Sequence, residues 1–104
     1  MMKKKELYED MRKSMAALVQ DLRGKPYAAL VLLPKYADQE RTIGRWSYKL
    51  ATWRDELEDG QVQIMVQAYY HWFLGIGSMM ADGFRKGRDE TVTDVPQNVR
   101  YEFT

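Results

Sequence analysis

Within "QAYYHWFLGIGSMMADGF", residues 67–84, stand the chain's single histidine, His71, a serine seven positions on, Ser78, and a carboxylate four further, Asp82. Ser, His and Asp are the parts of a nucleophilic hydrolase, provided nucleophile and base come within about 2.6–3.2 Å of each other. The stretch has a helical pattern, and on a helix seven residues rise about 10 Å, so these three do not form a triad. Nothing nominates a serine from another segment. With one His, no Cys and no Glu-x-x-His or His-Glu-x-x-His spacing, only carboxylates remain as metal ligands. Asp55, Glu56, Glu58 and Asp59 lack the spacing of a calcium loop. The glycines of "GIGSMMADG" sit inside the helical pattern rather than between a strand and a helix, so a phosphate-loop fingerprint fails. No enzyme, no metal and no cofactor is expected.

One further chemistry is open. Arg85, Lys86 and Arg88 follow the aromatic stretch, and combined with Tyr70, His71 and Tyr101 they compose a candidate site for an anionic small molecule or nucleotide. Cations and aromatic faces both suit such ligands. The plainer account is that the three cations cap the C-terminal end of a helix, where its dipole favours positive charge.

Composition narrows the class. The chain has 104 residues, 45% hydrophobic and 30% charged, as in a folded single domain. Its lack of cysteine excludes a disulfide framework and a thiol nucleophile. The basic start "MMKKKELYEDM" turns acidic instead of apolar, so no secretory segment follows and a cytoplasmic location is expected. The net charge of +1 divides into +5 for residues 1–52 and −4 for residues 53–104. That split favours contact between halves or copies and does not provide the uniformly basic face of a dedicated nucleic-acid binder, so no nucleic-acid partner is expected.

The elements that must position these residues are read from periodicity. Leu7, Met11, Met15, Leu18, Val19 and Leu22 form one stripe of a first helix over about 4–23, stopped by Gly24 and Pro26. "PYAALVLLP", residues 26–34, reads as a short buried helix, although a strand fits the periodicity equally. Ile43, Trp46, Leu50, Trp53 and Leu57 step by three and four, which predicts a long helix from an N-cap at Asp38 to Gly60. Its charges run against the helix dipole, with Arg41 and Arg45 early and four acids late. Either the next helix begins beside those acids, or they dock a basic partner. A last helix spans about 61–86, with Tyr69, Trp72, Phe73, Ile76, Met80 and Phe84 on its broad apolar face. His71 and Gln67 interrupt it, which argues against a membrane span. After Gly87, "TVTDV" and the alternating Val99, Tyr101 and Phe103 suggest an extended tail or short hairpin.

The expectation is an all-α bundle: three main helices plus a short buried one, a helical domain over 1–88 and an extended tail over 89–104. Trp46, Trp53, Trp72 and Phe73 are its expected shared core. The expected function is non-catalytic: a protein-binding module that regulates, inhibits or adapts a larger protein, the kind of small domain common among phage and mobile-element products. The apolar surplus further predicts a homo-oligomer, a dimer by preference, because exposed apolar patches mark interaction sites.

Overall fold

The computed structural model describes residues 4–73 and 76–103, with the backbone alone described for residues 71–73, 76–78 and 101. It corrects the all-α bundle. One long helix, α1 (Lys4–Arg23), lies on one face of a five-stranded antiparallel meander. The strands are β1 (Tyr36–Ile43), β2 (Trp46–Glu56), β3 (Val62–Phe73), β4 (Ile76–Lys86) and β5 (Val92–Asp94), in spatial order β1-β2-β3-β4-β5. A single turn of helix, α2 (Tyr27–Leu30), follows α1. The chain then closes with α3 (Gln97–Arg100) and a 3-10 turn (Tyr101–Phe103) in place of an extended tail. "TVTDV" supplies β5, which pairs with β4 at Phe84–Lys86 and forms no hairpin with residues 99–103.

The first helix occupies the bounds its stripe predicts. Leu7, Met11, Met15, Val19 and Leu22 are its buried residues. They pack on Tyr48 and Leu50 of β2, on Val62, Ile64, Val66, Ala68 and Tyr70 of β3, and on Phe84 of β4. A helix of 20 residues is marginal alone. Each fully buried aliphatic side chain contributes about 1.5–3 kcal/mol, so docking on the sheet is what holds it. Within residues 26–34, Leu30 of α2 is buried as expected, but Leu32, beyond the end of α2, is 85% exposed.

The two expected long helices are two hairpins. In β2, Trp46, Tyr48 and Leu50 turn toward α1 while Ser47, Lys49 and Ala51 turn away, the period of two that a strand imposes. Gly44 makes the turn: Ile43 pairs with Trp46 across the two-residue loop Gly44-Arg45, and Gly44 has φ +58°. Positive φ at the first central residue alone is the signature of a type II′ hairpin turn, which favours glycine. The charge order that opposes a helix dipole needs no compensation, since no dipole runs through residues 38–60.

Gly60 likewise ends no helix. Leu57 N–H donates to Gln61 O (2.8 Å), Gly60 N–H to Leu57 O (3.0 Å), and Gly60 has φ +89°. This is a type I turn followed by a left-handed residue, the usual three-residue hairpin loop. The β4–β5 loop repeats it: Gly87 N–H donates to Thr91 O, Glu90 N–H to Gly87 O, and Glu90 has φ +70°. Asp59 and Asp89 hold equivalent positions, each accepting the N–H two residues on. That bond from Thr91 holds the Asp89 carboxyl below its ordinary pKa.

Candidate interaction surface

Of the residues proposed for an anionic ligand, the four whose side chains are described, Tyr70, Arg85, Lys86 and Arg88, do not converge on one site. Tyr70 turns toward α1 and is buried, its ring edge-on to Trp46 at 5.6 Å. Lys86 also faces α1, but it lies eight residues along β4 from Ser78, the cross-strand partner of Tyr70. At 3.4 Å per residue that is about 27 Å. Lys86 is 5% exposed and donates through Nζ to the carbonyls of Arg23 (2.8 Å) and Lys25 (2.6 Å). It caps α1 across the fold rather than closing a helix of its own. Arg85 turns to the other side of the sheet and donates from Nε to Gln63 Oε1 at 2.8 Å. Arg88 sits exposed in the β4–β5 loop, its guanidinium beside Gly60. The side chains of His71, Ser78 and Tyr101 lie outside the described residues, as do those of Trp72 and Phe73. Asp82 Oδ1 accepts Gly83 N–H (2.8 Å) and faces Arg100 Nη2 (3.3 Å).

A different constellation comes together on the face that α1 leaves uncovered. Register stacks it in rows across the strands. The first row is Tyr36–Trp53–Met65–Gly83, the second Asp38–Ala51–Gln67–Ala81, and the third Glu40–Lys49–Tyr69–Met79. Met65 is fully buried because Gly83, directly opposite, has no side chain: a Cβ there would overlap the Ile64 carbonyl and come within 2.6 Å of Met65 Sδ. Trp53 stands beside Met65, 37% exposed, with its ring edge-on to Tyr36 at 4.5 Å and to Phe103 at 6.1 Å.

Gln67 organises the cluster. Its Oε1 accepts Trp53 Nε1–H at 2.6 Å, and its Nε2 donates to the Phe103 carbonyl at 2.6 Å and to Met79 Sδ at 3.3 Å. Ala51 and Ala81 flank it and leave room above the sheet for the chain end. Tyr36 donates its hydroxyl to Asp38 Oδ2 at 2.8 Å, which, with some burial, raises the phenol pKa. The third row opens into a concavity of about 390 Å3 lined by Glu40, Ser47, Tyr48, Lys49 and Tyr69. Charges of both signs surround the apolar middle: Asp38, Glu40, Lys49, Asp55 and Arg85.

A second polar group is closed off. The Tyr48 hydroxyl donates to Asp10 Oδ2 (2.8 Å) and pairs with Ser14 Oγ (2.8 Å), tying α1 to β2. Tyr48 is 2% exposed and Asp10 and Ser14 are half-buried, so this group fastens the helix to the sheet. Among the described residues no three His, Cys, Asp or Glu side chains converge on a metal position, and no helix is long and apolar enough to cross a membrane.

A helical reading separates Trp53, Gln67 and Met79 and leaves Tyr36 and Phe103 outside its long helices, so the five do not read as a group. Alternation along "YKLATWR" was the signal that collects them: Lys49, Ala51 and Trp53 share a strand face. No protein-family model, curated protein or solved structure matches this chain.

Proposed function

We propose that this chain is a non-catalytic protein-binding module, a regulator, inhibitor or adaptor that engages a larger protein through the helix-free face of its sheet. The observation that carries this is the exposure of Tyr36, Trp53 and Met79 as one patch, with Trp53 fixed by its bond to Gln67. Aromatic residues and Met are enriched at protein interfaces, and Trp and Tyr dominate binding energy where they are held rigid at the centre of a polar rim. A side chain that already keeps one rotamer loses little entropy on binding. A second copy of the chain is the competing occupant, and the homodimer expected from the sequence would form here.

The test is affinity capture from cells producing the tagged chain, wild type against Trp53→Ser. The expected result is a specific partner held by the wild type and lost by the variant, with the folded circular-dichroism spectrum retained at the capture temperature. Identical captures from both proteins would remove the patch from the function. A dimer by light scattering that Trp53→Ser converts to a 12.3 kDa monomer would assign the face to self-association.

A further inference from the structure

The meander leaves one long edge open. All of β1 is exposed except the half-buried Ile43, and among the described residues no strand lies on its outer side. The direction of its backbone groups follows from the ladder. Arg54 N–H donates to Lys35 O at 2.9 Å, so residues 35 and 54 form a hydrogen-bonded antiparallel pair. Such pairs alternate. Ala37, Gln39, Arg41 and Ile43 therefore turn their N–H and C=O toward β2, while Tyr36, Asp38, Glu40 and Thr42 turn theirs outward.

Side chains of that outward set share the helix-free face, so the edge presents free backbone donors and acceptors together with two carboxylates, Asp38 and Glu40. Between them, Gln39 turns to the helix side. There the flank of α1 overhangs a depression of about 140 Å3 lined by Leu18, Ala37, Asp38, Gln39, Leu50 and Thr52. Helical spacing puts Asp10, Ser14, Leu18 and Asp21 along that flank, and Arg41 reaches Ser14 Oγ at 3.5 Å.

A second copy does not suit this edge. Two-fold pairing of β1 with itself keeps each face on its own side, so opposite residues share parity. Centred on residue 38 it sets Asp38 against Asp38. Centred on 39 it sets Asp38 against Glu40, on 40 Glu40 against Glu40, and on 41 Arg41 against Arg41. Like charges directly opposite destabilise a strand pair, and charged edges of this kind guard against self-pairing.

We propose that β1 is a strand-addition site for an extended segment of another protein carrying Lys or Arg at two positions two residues apart, with an aliphatic residue between them. This rests on the chain being a protein-binding module and adds where one partner segment lies and what chemistry it has. The two cations stand opposite Asp38 and Glu40, in backbone hydrogen-bonded pairs. The aliphatic side chain enters the depression beside Leu18 and Leu50. Main-chain bonds supply affinity in strand addition, and alternate side chains supply specificity.

The probe is a terminally blocked eight-residue peptide alternating Lys and Val, compared with one alternating Glu and Val, at low salt. Amide hydrogen exchange reads the geometry: Asp38 and Glu40 N–H exchange freely in the free protein and become protected with the Lys peptide, whereas Gln39 and Arg41 are protected throughout. Asp38→Asn and Glu40→Gln each weaken binding by about two- to fivefold, the range for an exposed ion pair. Glu40→Pro abolishes it, since the N–H it deletes points outward and costs the β1–β2 ladder nothing; an unchanged melting temperature verifies that. Trp53→Ser leaves peptide binding intact, so loss of the aromatic patch as the functional face and loss of the edge site are told apart. Equal binding of the Glu peptide, or no protection of Asp38 and Glu40 at saturating Lys peptide, overturns the proposal. So does a dimer that Glu40→Pro dissolves, which would give the edge to a second copy.

Discussion

Gly83→Ala changes one hydrogen to a methyl group, and the sign of its effect separates a strand from a helix at residues 76–86. In an exposed helix interior the change stabilises by about 1 kcal/mol. In β4 the new Cβ would overlap the Ile64 carbonyl oxygen and stand 2.6 Å from Met65 Sδ and 3.1 Å from Met65 Cα. The thioether can swing aside, but the carbonyl belongs to β3 and moves only if the β3–β4 ladder opens. Overpacking of this type costs typically 1–3 kcal/mol, occasionally more. The reduced entropy of the unfolded chain returns about 0.4–1 kcal/mol. The expected net loss is about 1–2 kcal/mol, or roughly 4–16 °C in melting temperature for a domain of this size. Thermal unfolding by circular dichroism measures it. Adding Met65→Ala should not rescue the variant, because the backbone overlap remains. A variant that melts at or above wild type would refute the register across Met65 and Gly83.

Glu90 holds a left-handed conformation and accepts the Tyr27 N–H on both carboxylate oxygens, at 3.1 and 3.0 Å. Glu90→Ala loses that cap and keeps the strain, whereas Glu90→Gly loses the cap and sheds the strain, so urea denaturation should find the Gly variant more stable by about 1 kcal/mol. Trp53→Ala loses the bond to Gln67 and the edge contacts with Tyr36 and Phe103 and should cost about 1–3 kcal/mol, under the roughly 3–5 kcal/mol of a core tryptophan; a loss in the core range would mean the patch holds the fold together and is not a free surface. Lys86→Met keeps the apolar stem but strands the carbonyls of Arg23 and Lys25, for an expected loss of about 1–3 kcal/mol, read from the denaturation midpoint. Burial, with the Asp10 carboxylate adding to it, raises the Tyr48 phenol above its ordinary pKa. A raised folded-state value contributes stability below about pH 10 that is lost as pH rises through the folded pKa. Melting temperatures from pH 9 to 12 should therefore fall less steeply for Tyr48→Phe than for wild type.

How much was legible in the sequence differs by element, for physical reasons. The stripe from Leu7 to Leu22 admits only a helix, and α1 has those bounds. Residues 43–57 carry two periods at once. Ile43, Trp46, Leu50, Trp53 and Leu57 fit helical steps, while Trp46, Tyr48 and Leu50 fit strand alternation. The latter decides the fold because Gly44 and Asp59-Gly60 are hairpin turns at both ends. In β3 the alternation is hidden, since Gln63 and Met65 are buried on the uncovered face while Val62, Ile64 and Val66 are buried under α1. A strand covered on both sides reads as a continuous apolar run. The interaction patch was illegible as a consequence: once residues 38–60 and 61–86 are wound as helices, Trp53, Gln67 and Met79 no longer share a face, and Tyr36 falls outside both.

The order of elements along the chain has a consequence for synthesis. Every strand pairs with its neighbour in sequence, so each hairpin closes over a short loop, at little entropic cost. The helix is the exception. It leaves the ribosome before the sheet, yet the residues it packs on lie in β2, β3 and β4, and its C-terminal carbonyls wait for Lys86, 63 residues after Arg23. At about 5–20 residues per second that interval lasts roughly 3–13 s. Throughout it the row Leu7, Met11, Met15, Val19 and Leu22 lacks the complete sheet that covers it in the fold. This nascent chain offers a chaperone a greasy amphipathic peptide until the fourth strand is made, and a stall placed between codons 30 and 60 should lengthen that association in proportion.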